Sequence, residues 1–273
     1  MHNNNHVSNY GCPAYLFSIP DSCDNISIPV SDEKGKTPTL NKSGYMMNEN
    51  DPISDKFISF SKYTELPCLD IGAAYGSVTK QALHNEATVI ANDIDIRHLH
   101  ILKKMAPQKH INRLYLKKGS FPSEIEFNEN SLDAVLLRRV IHFLTPEEVE
   151  TGLKKVFRWL DYGGRVFIAV ISPYHTYFTD YINAYNKKWN DNDPWPGVIN
   201  NFKEFVPDQA EQVPDFVHVM DERPLRLALE NTGFNVVESM YFTNNTEDEQ
   251  TGSTPPSLLN DGKHGVFGII AEK

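Results

Sequence analysis

The stretch CLDIGAAYGSVTK, Cys68–Lys80, decides the fold. An apolar run, Cys68-Leu69-Asp70-Ile71, enters a turn marked by Gly72 and Gly76, and a helix-forming segment follows from Ser77. Such a corner aims backbone N–H groups and a positive helix end at the carboxyl edge of a sheet, where nucleotide ligands bind. Asp70, two residues before Gly72, restricts the ligand. A corner built to grip a pyrophosphate carries no acid there, because anion would face anion. One that carries an acid suits a ligand with positive charge. Gly72 lets the main chain turn sharply and lets a ligand lie against it.

The next apolar run, ATVIAND at Ala87–Asp93, also ends in an acid. Asp93 follows Gly72 by about 20 residues, which places a carboxylate at the tip of the second strand beside the first turn. The order acid-x-Gly-x-x-x-Gly at Asp70, Gly72 and Gly76, with Asp93 beyond it, resembles the class I S-adenosylmethionine-dependent methyltransferases. That family often has a third glycine where this chain has Ala74. The resemblance implies S-adenosylmethionine as cofactor, whose ammonium and sulfonium supply the positive charge. It assigns cofactor contacts to Asp70, Gly72, Ala73, Ala74, Gly76, Asp93 and Ile94, with Asp93 accepting the ribose hydroxyls. Asp95 is read as the cap of the following helix. A dehydrogenase shares the ribose acid, but GAAYGS lacks the G-x-G-x-x-G spacing.

Two further motifs extend the resemblance. KKGSFP, Lys117–Pro122, has Gly119, Ser120 and Phe121 after the third strand, where the family meets the adenine, usually through an acid in the place of Ser120. LDAVLLRRVIHFL, Leu132–Leu144, resembles the fourth family motif. Its strand ends at Arg138 or Arg139, beside the methionine part of the cofactor. His142 falls where many small-molecule methyltransferases have a histidine, and the competing reading is a packed structural imidazole.

Strand and helix patterns alternate along the rest of the chain. TPEEVETGLKKVFRWL opens with Thr145 as cap, Pro146 in first position and Glu148 completing a capping box. Gly163 and Gly164 are read as ending that element, before RVFIAVI. Two closely spaced strands, FNVVESMYF and GVFGIIAEK, finish the chain. The expected fold is α/β: a Rossmann-like, doubly wound, mostly parallel seven-stranded sheet with an antiparallel edge strand and a helical lid insertion. Residues 1–43, rich in Asn, Ser, Pro and Asp, are read as a flexible or loosely docked arm. Residues 44–273 form the methyltransferase domain, with the lid at 172–217. By the same resemblance, a helix starting at Pro52 covers the cofactor.

The lid segment carries Tyr174, Tyr177, Phe178, Tyr181, Tyr185 and Trp189 at steps of three and four, one face of a helix. Either the stripe packs on the sheet, or it walls the ligand crevice at the carboxyl ends of the strands. The second reading puts Tyr174, His175 and Tyr177 nearest the transferred methyl, with His142, His175 and His218 as candidate bases. SPYHTYF differs from the Asp/Asn-Pro-Pro-aromatic box of adenine and glutamine methyltransferases, having one proline, no amide or acid, and a place after strand five.

The net charge of −10 argues against a nucleic acid partner, whose phosphates reward a basic face. The cysteines Cys12, Cys23 and Cys68 have no metal-ligand spacing, so no metal is expected. With neither a long apolar run nor a secretory pattern, no membrane span and a cytoplasmic setting are expected. The most consistent function is methyl transfer to a small-molecule acceptor. A protein methyltransferase on the same fold and a non-catalytic cofactor-binding protein are the alternatives, and the oligomeric state is left open.

Overall fold

Cys68–Ile71 forms an inner strand of a seven-stranded sheet in the computed structural model, which describes residues 26–243 and 265–273. The elements in chain order begin with a hairpin, β1 (Lys36–Pro38) and β2 (Tyr45–Met47), and a helix, α1 (Pro52–Ser61). The corner follows as β3 (Cys68–Ile71) and α2 (Ser77–His84). Then come β4 (Val89–Asp93), α3 (Ile96–Met105), β5 (Leu114–Lys118), β6 (Leu132–Arg138), α4 (Pro146–Trp159) and β7 (Leu160–Ile171). A two-strand insertion holds α5 (Ile182–Asn190), β8 (Val198–Ile199), α6 (Phe202–Phe205) and β9 (Val217–His218). The chain closes with α7 (Glu222–Thr232), β10 (Asn235–Phe242) and β11 (Val266–Glu272).

The sheet order is β10-β11-β7-β6-β3-β4-β5, with β3 to β7 parallel. β11 runs against both β7 and β10, so the reversed strand lies one place in from the edge and β10 is the edge itself. Strands covered on both faces read as nearly continuous apolar runs, as β3, β4 and β6 do. Alternate residues of β6 serve the two faces: Val135 and Leu137 join the core under α4 and α7, and Ala134 and Leu136 join the core under α1, α2 and α3.

Local chemistry sets the ends of these elements. Thr145 and Glu148 form the expected capping box of α4. Asp95 caps α3, its side chain accepting from the Arg97 amide. Gly163 and Gly164 do not end an element. They sit inside β7, where the pairing to β6 jumps from Leu132↔Leu160 to Ala134↔Arg165, a bulge that takes up the extra residues.

Two placements differ from the expectation. α1 does not cover the cofactor crevice; Ile53 and Phe57 are buried against the sheet, and the Phe57 ring meets Phe167 edge-on at 5.5 Å. The assigned arm boundary at residue 43 cuts the β1–β2 hairpin, which is docked on the domain. The Leu40 amide donates to Tyr75 Oη (3.1 Å) and His98 Nε2 (3.0 Å), and Arg97 donates to the Leu40 carbonyl. Residues 1–25 of the expected arm lie outside the described residues.

Candidate functional site

A cavity of ≈390 Å³ opens at the carboxyl ends of β3, β4, β5 and β6. Asp70, Gly72, Ala73 and Ala74 contribute from the corner, Asp93 and Ile94 from the end of β4, Gly119, Ser120 and Phe121 from the turn after β5, and Arg138 from the end of β6. All but one of the expected cofactor contacts are therefore brought together. The exception is Gly76, which lies outside the lining and caps α2. A Cβ on it would meet Leu102 at 2.6 Å, so its lack of a side chain serves the packing of α2 on α3.

The corner is tied to β4 through Asp93. Its Oδ2 accepts the Ala74 amide (2.9 Å), and its Oδ1 accepts the Asp95 amide (2.8 Å) and faces His98 Nδ1 (3.0 Å). Asp70 is buried and accepts a hydrogen bond from Thr79 Oγ1 at 2.5 Å. Burial pushes its carboxyl up to about 6, against the lowering effects of Thr79 and Arg138. A carboxylate so placed gains from a cation brought into the cavity.

Arg138 lines the cavity but spends its guanidinium on the end of the hairpin and the segment after it. It donates to Asp51 Oδ2 (2.8 Å), the Glu49 carbonyl (2.6 Å) and the Met47 carbonyl (3.3 Å). Burial alone would raise the Asp51 carboxyl; the Arg138 guanidinium beside it and the Ser54 amide hold it below the usual range.

The residues expected on the acceptor side are elsewhere. Tyr174 does not line the cavity; its hydroxyl donates to Asp221 (3.1 Å) and its ring packs edge-on against Tyr241 (5.8 Å). His175 is buried outside the cavity, its ring 4.1 Å from that of Tyr177, with Nδ1 accepting the Tyr177 amide. The aromatic stripe builds the insertion's own core, in which Phe178, Tyr185, Phe202 and Val217 cluster. Its helix starts only at Ile182. From the expected lid, Pro214 and Phe216 alone line the cavity among the described residues.

His142 is also buried outside the lining, with Nδ1 unpartnered. Burial, reinforced by Arg139 and His218, pushes its pKa down to about 3. His218 is pushed down to about 4 by burial, against a bond to the Leu144 carbonyl. Neither geometry supports a base in the cavity. Both imidazoles take up protons in the unfolded chain below pH ~6.5 and not in the folded one. Their contribution to stability is thus complete above pH ~6.5 and is lost at ~1.4 kcal/mol per pH unit per histidine as pH falls toward the folded values. Urea unfolding at pH 7 and pH 5 is expected to show this loss. His142→Gln should remove ~2 kcal/mol of the difference between the two pH values. Asp70 acts in the opposite sense below pH 6, equally in both chains. An unchanged pH dependence in the variant would mean that His142 titrates normally.

Several lining residues are not among those expected. Asn92 lines the cavity and donates to the Lys117 and Gly119 carbonyls, bracing the turn after β5; a lone amide ending the apolar run VIAND was its signal. The hairpin contributes Thr39, Asn41, Ser43, Tyr45, Met46 and Met47. Its signal was the turn-forming Asn41-Lys42-Ser43-Gly44 between two short extended runs. Arg139, Val140, Phe143, Leu144 and Glu148 add to the wall, as do Ile71, Ser77, Val78 and His98. No group of three or more metal-ligating side chains occurs among the described residues, and no helix there is long and apolar enough to cross a membrane.

The cavity fits S-adenosylmethionine on its own chemistry. Gly72 presents bare backbone to the lining, Asp70 offers a buried carboxylate, and Asp93 sits at the strand tip within the lining. Residues 68–164 match a family model described as a methyltransferase domain. No curated protein sequence matches the chain. Among solved structures, an S-adenosylmethionine-dependent methyltransferase from Mesorhizobium loti is 14% identical with a TM-score of 0.58, over 81% of this chain and 96% of that one. One from Methanosarcina mazei is 17% identical with a TM-score of 0.58, over 82% and 98%. The 1,6-didemethyltoxoflavin-N1-methyltransferase from Burkholderia thailandensis, solved with 1,6-didemethyltoxoflavin and S-adenosylhomocysteine, is 18% identical with a TM-score of 0.55, over 81% and 76%. At these identities the likeness is one of fold.

Proposed function

We propose that the chain is a class I S-adenosylmethionine-dependent methyltransferase and that it methylates a compact small molecule held between the glycine corner and the hairpin. The observation that carries this reading is the cavity itself. Hairpin, insertion and β6 end wall it together, which favours a compact acceptor over a peptide strand. The similarly folded Burkholderia enzyme, named for methylating 1,6-didemethyltoxoflavin, supports an acceptor of this class.

When bound, the cofactor supplies an electrophilic sulfonium methyl. The chain's own residues hold the partners. In this reading Asp93 accepts the ribose hydroxyls, Asp70 faces the positive charge, Ile94 and the Gly119–Phe121 turn border the adenine, and the backbone at Gly72–Ala74 lies along the cofactor. Tyr45, Met46, Phe143 and Phe216 offer apolar walls to the acceptor and exclude water. Among the described residues His98 is the one histidine lining the cavity, and both its ring nitrogens are committed, to Asp93 and to the Leu40 amide. The site therefore suits an acceptor whose attacking atom carries its lone pair at neutral pH. Catalysis then rests on alignment and desolvation.

Methyl-labelled S-adenosylmethionine, incubated with the protein and a cell lysate, is expected to put label into the low-mass fraction, undiminished by a chelator. Label in the protein fraction would replace the small-molecule reading with protein methylation. No transfer to either would leave a cofactor-binding protein, and loss restored by a divalent cation would reveal a metal requirement.

A further inference from the structure

The hairpin is held to the cofactor elements by one connected set of hydrogen bonds. At the acid, Asp93 Oδ1 faces His98 Nδ1 at 3.0 Å, and His98 Nε2 accepts the Leu40 amide at 3.0 Å. At the glycine corner, Asp93 Oδ2 accepts the Ala74 amide, and the neighbouring Tyr75 hydroxyl donates to the Pro38 carbonyl while sharing the Leu40 amide. On the far side, Gln212 of the insertion donates to the Thr39 and Gly44 carbonyls, and its own carbonyl accepts the Gly44 amide. The turn that ties these together, Thr39–Gly44, belongs to the hairpin that supplies Tyr45 and Met46 to the cavity wall.

His98 is fully enclosed, so each of its nitrogens has to be satisfied inside the protein. A carboxylate against Nδ1 fixes the proton there and leaves Nε2 as an acceptor, the form that the Leu40 amide requires. The state of Asp93 thus sets the state of the hairpin contact. A ligand hydroxyl on the remaining lone pairs of Asp93 holds the carboxylate in the orientation that faces His98. Such a ligand binds the latched arrangement better than the released one, which is the condition for coupling.

We propose that His98 is a positioning residue that passes occupancy of Asp93 to the hairpin, so that cofactor binding completes the acceptor wall at Tyr45 and Met46. This rests on the assignment of the cavity to S-adenosylmethionine. It implies an order of events: cofactor first, acceptor second, with the hairpin latched between them. Reciprocity requires that a latched hairpin also slow the departure of the cofactor.

Hydrogen exchange of peptides covering residues 36–47, with and without S-adenosylhomocysteine, tests the relay without turnover. In the wild-type chain the ligand is expected to slow exchange there by about tenfold, a typical coupling. His98→Asn keeps an amide donor near Asp93 but falls short of Leu40. His98→Gln reaches Leu40 but gives up the donor to Asp93. Both are expected to bind S-adenosylhomocysteine by calorimetry, yet to show a ligand-induced change in 36–47 below about twofold. Tyr75→Phe, which loosens the latch without touching the relay, should raise ligand-free exchange and retain the ligand-induced slowing. Ligand-induced slowing that persists in both His98 variants would overturn the proposal, as would its absence in a wild-type chain that binds the ligand. A wild-type chain that fails to bind S-adenosylhomocysteine would sink the cofactor assignment itself.

Discussion

Asp93→Ala is expected to weaken S-adenosylmethionine binding by roughly 10- to 150-fold, the ~1.5–3 kcal/mol of hydrogen bonds to a charged acceptor. Calorimetric titration reads this directly. The loss has two sources, both visible around the carboxylate. One is the proposed pair of ribose bonds. The other is the corner itself, because Asp93 accepts the Ala74 amide that shapes the turn, the Asp95 amide and His98. Removing the side chain leaves three donors at a buried place without their acceptor. The variant should therefore also melt several degrees below the wild type. Asp93→Asn separates the two sources. It retains a carbonyl oxygen for one backbone amide but carries no charge, so it should recover part of the stability and little of the affinity. If Asp93→Ala binds as tightly as the wild type, the ribose assignment falls, and Asp95 becomes the residue to examine at that strand end.

The half of the site that lies in contiguous motifs was legible in the sequence. Asp70, Gly72 and Asp93 could be placed because a strand end, its turn and the next strand end are neighbours by construction in a doubly wound sheet. The core strands were legible for the same kind of reason. β3, β4 and β6 are covered on both faces, and their apolar runs admit few other readings. The other half is assembled from segments far apart in the chain. Leu40 meets a histidine 58 residues away, and Thr39 meets a glutamine 173 residues away. No local pattern announces such contacts. The three-residue strands of the hairpin sit in polar surroundings and have too few positions to show alternation. A composition typical of a loose arm therefore concealed a segment that is held by Tyr75, His98, Arg97, Arg138 and Gln212.

The insertion failed in another way. Its aromatic spacing was real, but spacing identifies an apolar face and not what covers it. Tyr174 turned out to serve the start of α7 through Asp221, and Phe178 and Tyr185 found partners inside the insertion. A segment with enough aromatic area to make its own small core does not need the ligand crevice to bury it. The histidines followed the same logic. His142 matched a family position, yet its ring is enclosed beside Phe143 at 4.2 Å, and it is Phe143, the next residue, that lines the cavity.

Gly72→Ala is expected to be the most damaging single methyl that can be added at the corner. Gly72 has φ +68°, a conformation that costs an L-residue roughly 1–2 kcal/mol. A Cβ there would also lie 2.4 Å from Val140 Cγ2, far inside contact distance. Valine is stiff about χ1, so the neighbour relieves this only by leaving its preferred rotamer or by moving its backbone, at ~1–3 kcal/mol. Together these predict a destabilisation of ~2–5 kcal/mol, or a fall in melting temperature on the order of 4–15 °C for a chain of this size. The two contributions can be separated. In Gly72→Ala/Val140→Ala the clash is gone and the backbone cost remains, so the double variant should be more stable than the sum of the singles predicts. Ala74 supplies the opposite case. It already sits at φ +46° with its amide on Asp93, so Ala74→Gly should leave stability unchanged or raise it by up to ~1 kcal/mol and leave cofactor affinity intact. Equal melting temperatures for wild type and Gly72→Ala would show that the turn relaxes freely and that neither its φ nor the Val140 contact constrains the corner.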